Sequence, residues 1–176
     1  MGAGARVTIE QLDGAPEAAA AEALERCCGA SAWVRAMLAS RPFGSVQALH
    51  DAADACAAAM EERDWLEAFS HHPRIGDVAS LRAKFASTAQ WAGGEQAGAA
   101  AAGEATLHAL AKGNDDYFAR FGFIFIVCAT GLTADEMLAR LEARLPHERA
   151  EELRIAAAEQ NKITHLRLEK LLREDA

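Results

Sequence analysis

Phe121-Gly122-Phe123-Ile124-Phe125-Ile126-Val127-Cys128 is the stretch on which the fold turns. Its aromatic and β-branched residues favour a strand by propensity. Strand formers are scarce elsewhere, and alanine dominates the apolar residues. A lone strand has no partner for its ladder of N–H and C=O groups. Periodicity does not separate a short apolar run in a strand from one in a buried helix. Isolation therefore decides, and the run is assigned to a buried helix. The expectation that follows is an all-α chain, a single domain of about eight helices.

Helix signals flank the run on both sides. Asp115–Arg120 leads into it as a short helix, and Gly113-Asn114 reads as the stop of a long alanine-rich helix from Glu95 to Lys112. Gly131 closes the run. Thr133 with Glu136 forms a capping box for a helix that carries Met137, Leu138, Leu141 and Leu145 up to Pro146. A last helix runs from about Glu148 to Arg173.

Nearer the N-terminus, Thr8 with Gln11 forms another capping box, opening a short helix that stops at Gly14. Pro16 suits the first turn of a second helix, which extends to about Cys28 and is closed by Gly29. Ser31 caps a third, with Trp33 and Met37 on one face, and Arg41-Pro42-Phe43-Gly44 breaks it. Ser45 starts a fourth through roughly Met60, striped by Val46, Leu49, Ala53, Cys56 and Ala57. A fifth covers about Asp64–Ser70. Val78–Ser87 is ambiguous between loop and helical turn. A further helix begins near Ser87 or Thr88 and breaks at Gly93-Gly94.

Composition narrows the partners. Of 176 residues, 51% are hydrophobic and 25% charged, which places the chain among soluble globular proteins. A net charge of -8 with no dense basic run argues against a nucleic-acid surface. An anion can still bind where arginines or helix N-termini locally reverse the field. Cys27, Cys28, Cys56 and Cys128 form no CxxC pair and suit a reducing cytosol, Cys56 and Cys128 as core residues. Met1–Arg6 is too short and polar for a signal peptide, and no apolar run reaches membrane-spanning length. The expected location is the cytoplasm.

His71-His72-Pro73-Arg74-Ile75-Gly76, followed by Asp77, is the densest concentration of chemistry. Pro73 fixes its own backbone and keeps His72 out of the helical region, so His72 sits on a rigid corner. An imidazole held there suits proton transfer or metal binding, since it titrates near neutral pH. The same residues also read as a plain helix-terminating loop. Glu95-Gln96 after Gly93-Gly94 admits two readings. One is a carboxylate placed for the helix dipole; the other is an acid or base beside a backbone that a ligand can approach. Arg167 shares a stripe with Ile163 and Leu171. It either snorkels outward or turns inward to pair with a carboxylate of the protein or of a ligand.

No two histidines stand four apart and no HExxH occurs, so a metal site is not expected from His71, His72, Asp77, His108, Asp115 and Asp116. Glycine-rich phosphate loops, GxSxG and dinucleotide fingerprints are also missing, which leaves no cofactor supported. A small acid–base site remains: a fixed histidine, a carboxylate and an arginine for an anion.

Taken in order, these residues resemble the 2-oxo-4-hydroxy-4-carboxy-5-ureidoimidazoline (OHCU) decarboxylase family of urate degradation. The elements that carry the resemblance are Arg41-Pro42-Phe43, His72-Pro73-Arg74-Ile75-Gly76, Trp91 with Glu95-Gln96, and Asn114, Tyr117 and Phe121-Gly122-Phe123. Lys162-Ile163 and Leu166-Arg167-Leu168 complete the set. The resemblance implies an all-helical, cofactor-free decarboxylase, commonly a homodimer, that converts OHCU to (S)-allantoin and CO2. It implies catalytic roles for His72 and Glu95, and substrate contacts from Pro73, Gln96 and Arg167. The backbone around Ile126 and Val127 would meet the ring of this small-molecule substrate. His71 is then a structural or solvent-facing neighbour, Arg74 and Ile75 anchor the loop, and Gly76 supplies its turn. One departure is Ala92, where the family often has a serine able to bond the substrate. That departure favours the other class of reading, a non-catalytic helical binding module.

Overall fold

Three short helices at the N-terminus begin where local chemistry tells them to. In α1 (Ile9–Gly14), Thr8 N donates to Gln11 Oε1 at 2.9 Å and Gln11 N donates to Thr8 Oγ1 at 3.2 Å, the reciprocal box expected. Helix α2 (Glu17–Glu25) has Pro16 at its N-cap rather than in its first turn. It ends three residues earlier than Cys28, leaving Cys27 and Cys28 buried beyond it. Ala30 is the N-cap of α3 (Ser31–Ala39), because the Ser31 hydroxyl instead donates to Glu67 Oε1 at 2.5 Å. This computed structural model describes residues 6–74, 76–85 and 97–172, the side chains of 97–102 excepted.

Helix α4 (Val46–Ala58) is capped by Ser45, whose hydroxyl accepts from Ala48 N. Leu49, Ala53, Cys56 and Ala57 bury its stripe, but Val46 is left 43% exposed. The Arg41–Gly44 break clamps the end of α1. Arg41 Nη1 donates to Leu12 O and Ala15 O at 3.0 and 2.9 Å, and the Asp13 carboxylate accepts from Phe43 N and Gly44 N. After α5 (Glu62–Ser70) the chain turns through His71 and His72. The ambiguous stretch beyond resolves into α6 (Val78–Phe85), begun by Asp77, whose carboxylate accepts from Ser80 N and Ser80 Oγ at 2.7 and 2.9 Å.

Helix α7 (Ala97–Phe121) departs from the expected pattern by running straight through Gly113-Asn114. The glycine is there for packing. A Cβ on Gly113 would lie 2.5 Å from Leu141 Cδ2 in α8 (Ala134–Arg144), so a bare backbone is what lets the two helices approach. The Asn114 amide donates to Leu110 O at 2.9 Å, one turn back on its own helix. Neither residue stops anything. Helix α8 opens on Thr133, which with Glu136 forms the expected capping box, and α9 (Arg149–Leu171) follows.

Phe121–Cys128 is not the buried helix expected. Helix α7 ends at Phe121, Gly122 turns at φ 79°, and the chain continues without helix or strand to Ala129. The isolation argument counted only backbone partners. Here side chains serve: Arg144 Nη1 donates to Ile126 O at 2.6 Å and Arg149 Nε donates to Phe121 O at 3.2 Å. The all-α class nonetheless holds, with nine helices and no strand among the described residues.

Contacts sort the chain into two compact units, Met1–His72 with Ala157–Ala176, and Pro73–Ala156. Leu12, Leu24, Trp33, Met37, Leu49 and Leu168 are fully buried in the first. Each contributes on the order of 1.5–3 kcal/mol by leaving water. Tyr117, Leu107, Leu110, Leu81 and Leu141 do the same in the second. The break between units falls at His72–Pro73 in the loop and at Ala156–Ala157 within α9. The helix expected near Ser87 or Thr88, its break at Gly93-Gly94 and the start at Glu95 lie outside the described residues. Among those described, no helix is long and apolar enough to cross a membrane.

Candidate active site

In the first unit the end of α5 delivers His72. His71 N donates to Ala68 O and His72 N to Phe69 O at 3.2 and 3.1 Å, so the last turn tightens before Pro73 forbids its continuation. The His71 ring rests on Gly29. A Cβ there would meet His71 Cγ at 2.3 Å, and this close approach explains the glycine. His71 is thus a structural neighbour, as expected.

His72 is half-buried, and its Nε2 lies 2.5 Å from Gln160 Oε1. Gln160, on α9, is 1% exposed. Its Nε2 donates to Thr164 Oγ1 at 3.2 Å, while the Thr164 hydroxyl donates to Gln160 O at 3.0 Å. Burial pushes the His72 pKa below its ordinary value; the nearby charges of Arg167 and His71 act in the same direction, and the Gln160 bond opposes them. The balance favours the neutral imidazole. Gln160 and Thr164 are partners of the candidate His72 that sequence reasoning missed. Their signal was the spacing of Gln160, Thr164 and Arg167 on one helical face.

Arg167 is also half-buried, its Nη1 donating to Arg26 O at 3.5 Å. Among the described residues it has no carboxylate partner. Its field reaches His72, Cys27 and Cys28. Burial raises the Cys27 thiol to about 12 and Cys28 in the same direction, so both stay protonated and neither is a ready nucleophile. A guanidinium whose field reaches this imidazole, without a carboxylate partner among the described residues, can receive an anion.

In the second unit, Ile126 and Val127 sit on the irregular segment after α7, Ile126 buried and Val127 half-buried. A buried polar network holds that segment. The Arg144 guanidinium pairs with Glu152, itself fully buried, and spans Ile126 O and the Tyr117 hydroxyl. Tyr117 donates to Glu152 Oε1 at 2.6 Å, and His147 Nδ1 lies 3.1 Å from Glu152 Oε2. Phe125 lies under the guanidinium, 4.6 Å from its centroid. Sequence reasoning missed this network because Arg144 and Glu152 resemble ordinary helix-end charges.

The corner after His72 is anchored by Arg74, which donates to Asp115 Oδ1 at 2.8 Å and lies 4.4 Å over the Phe118 ring. A Cβ on Gly76 would meet Asp115 Oδ1 at 3.6 Å and Arg74 Nε at 3.8 Å, both ordinary contacts. Pro73 is exposed. His72 and Arg167 are therefore brought together with Gln160 in one unit, while Pro73, Ile126 and Val127 belong to the other. Ile75, Trp91, Ala92, Glu95 and Gln96 lie outside the described residues. Among those described, no group of three His, Cys, Asp or Glu side chains is placed to hold a metal ion. Asp77 caps α6, Asp115 pairs with Arg74, and Asp116 accepts from Lys112.

A family model described as OHCU decarboxylase matches residues 13–169, a span that runs through both units. The chain is 42% identical over 153 residues to the uric acid degradation bifunctional protein TTL of Arabidopsis thaliana, covering 85% of this chain and 46% of that protein. It is 28% identical over 163 residues to the 2-oxo-4-hydroxy-4-carboxy-5-ureidoimidazoline decarboxylase of Haloferax volcanii, covering 92% and 94% of the two chains. The chain thus spans less than half of the bifunctional relative but nearly all of the Haloferax volcanii one. A crystal structure of OHCU decarboxylase in the presence of (S)-allantoin matches with a TM-score of 0.67 at 37% identity, over 85% of this chain and 96% of that one. A crystal structure of (S)-allantoin synthase, 22% identical with a TM-score of 0.68, shares the fold.

Proposed function

The chain belongs to the OHCU decarboxylase family, and from that premise we infer that it decarboxylates OHCU to (S)-allantoin and CO2 in urate degradation. The observation that carries this reading is His72, held by Gln160, in the field of an Arg167 that lacks a carboxylate partner among the described residues. An acidic substrate needs the cation, and its hydroxyl needs the base.

The chemistry balances as follows. The bond to the carboxylate breaks and CO2 leaves, its electron pair moving toward the ring C=N. The ring nitrogen and the ureido-bearing carbon each gain a proton, and the hydroxyl loses one as it becomes a carbonyl; one proton is taken up overall. In this assignment Arg167 grips an anionic or carbonyl oxygen, and His72 takes the hydroxyl proton. Glu95 delivers a proton to one face of the ureido-bearing carbon, with Gln96 positioning the ring. Pro73 and the backbone around Ile126 and Val127 line the substrate. No step in this scheme calls for a cofactor or metal. We assign the chain to one OHCU decarboxylase-like domain over 1–176, working as a cytoplasmic homodimer.

The test is purified protein with freshly generated OHCU, read by the optical activity of the allantoin formed. His72→Ala and Glu95→Ala should each remove the rate enhancement while the protein stays folded. Full activity in both variants removes the site assignment. Sedimentation equilibrium tests the dimer.

A second reading, a non-catalytic binding module, draws on Ala92. A missing hydroxyl hydrogen bond is worth about 0.5–1.5 kcal/mol, which weakens affinity roughly two- to thirteenfold without changing the reaction type. Ligand binding without turnover would favour this module.

A further inference from the structure

Gln160 and Thr164 do more than fill the face of α9 beside His72. The oxygen Gln160 O can only accept, so the single Thr164 hydroxyl proton points to it, 3.0 Å away. Thr164 Oγ1 can then only accept from the Gln160 side chain, which fixes the NH2 group on the Thr164 side at 3.2 Å. The other end of the amide, Oε1, therefore faces His72. A carbonyl oxygen only accepts, so the His72 nitrogen 2.5 Å from it must be an N–H. In this arrangement the donors run from ring to backbone, Thr164 also hydrogen-bonds Cys28, and both α9 residues are at most 2% exposed.

We propose that Gln160, braced by Thr164, is a positioning residue that confines one proton to His72 Nε2 and makes Nδ1 the nitrogen that works on the ligand. Among the described residues Nδ1 has no hydrogen-bond partner. In the neutral ring Nδ1 is a lone pair able to take a hydroxyl proton; in the imidazolium it is the second donor. Nε2–H bonds Gln160 in both states, so only Nδ1 gains or loses a proton during turnover. Among the described residues, Arg167 on α9 and His71 at the corner are the charged or titratable groups felt at the ring, and with burial they favour its neutral form. Gln160, Thr164 and Arg167 recur at helical spacing, so a single face of α9 sets both the base and the anion grip. The assignment of Nδ1 to the ligand rests on the decarboxylase reading, whereas the tautomer itself does not.

The experiment uses histidine-15N-labelled full-length protein at pH 8, read by two-bond 15N–1H correlation, alongside steady-state decarboxylation. The expected wild-type spectrum shows His72 with a protonated Nε2 and an unprotonated Nδ1. Gln160→Met, nearly isosteric and without an acceptor, should mix the two tautomers. It should also lower kcat about tenfold or more with KM changed less than about twofold. Gln160→Glu keeps an acceptor, so it should restore the tautomer and shift the acid limb of the rate to higher pH. Thr164→Val should give a smaller loss in the same direction, and it serves if Gln160→Met does not fold. A wild-type ring protonated on Nδ1, or a folded Gln160→Met with wild-type kcat, overturns the proposal. If the wild-type protein forms no optically active allantoin, the decarboxylase reading fails and the spectrum still judges the role of Gln160.

Discussion

His72 and His50 both lie in the first unit with pKa values below the ordinary histidine value, His72 mainly from burial and His50 from burial and the neighbouring His165. The sign of the stability effect follows. Between the lowered folded values and the ordinary 6.5, the unfolded chain binds more protons than the folded one. Stability therefore takes no penalty above pH 6.5 and falls as pH drops through this window. Asp54, lowered by Asn161 and His165, loses its contribution only below its ordinary 3.8 and stays outside it. Urea midpoints at pH 7.5 and 5.5 should show the drop, and His50→Gln should make it smaller. An unchanged drop in that variant would remove His50 from the account. Arg144 and Glu152 give a second test at this scale. Breaking their buried pair with Arg144→Met leaves a buried carboxylate and orphans Ile126 O, at a cost of roughly 3–5 kcal/mol. The double variant Arg144→Met with Glu152→Met should recover much of that loss in chemical denaturation.

Helices were legible where their instructions are local. Thr8 with Gln11, Ser45, and Thr133 with Glu136 cap the helices they announce, because donor and acceptor lie within one turn. Gly113-Asn114 and Phe121–Cys128 were misread because their reasons lie elsewhere in the chain. A glycine demanded by Leu141 and a glycine that ends a helix look alike in sequence. An apolar run whose carbonyls are met by Arg144 and Arg149 looks like one that needs a helix or a strand. Gly113→Ala separates the causes. Alanine gains about 1 kcal/mol of helix propensity over glycine, whereas overpacking a core costs roughly 1–3 kcal/mol. Leu141 is fully buried and has little room to yield, so the variant should be less stable by up to about 2 kcal/mol in urea denaturation. A more stable variant would mean that the α7–α8 approach is looser than described.

Over the whole molecule, the all-α class was legible from composition, since an alanine-rich chain with one strand-like run offers no sheet. Part of the site was legible as a motif. Pro73 marks His72 from sequence alone, but Gln160 comes from 88 residues away and nothing local to either residue reveals the pair. Arg167 was recognised through its stripe and the family resemblance, and its neighbourhood with His72 needed the fold. The central claim is the proposed decarboxylation, with His72 and Arg167 handling the substrate's hydroxyl and acidic groups and Glu95 protonating one face, and the optical activity of the product tests it most directly. Protein treated with a chelator is mixed with freshly generated OHCU, and optical rotation is followed beside the spontaneous reaction. The account predicts faster formation of (S)-allantoin, abolished by His72→Ala in folded protein. Racemic allantoin formed at the spontaneous rate would contradict it.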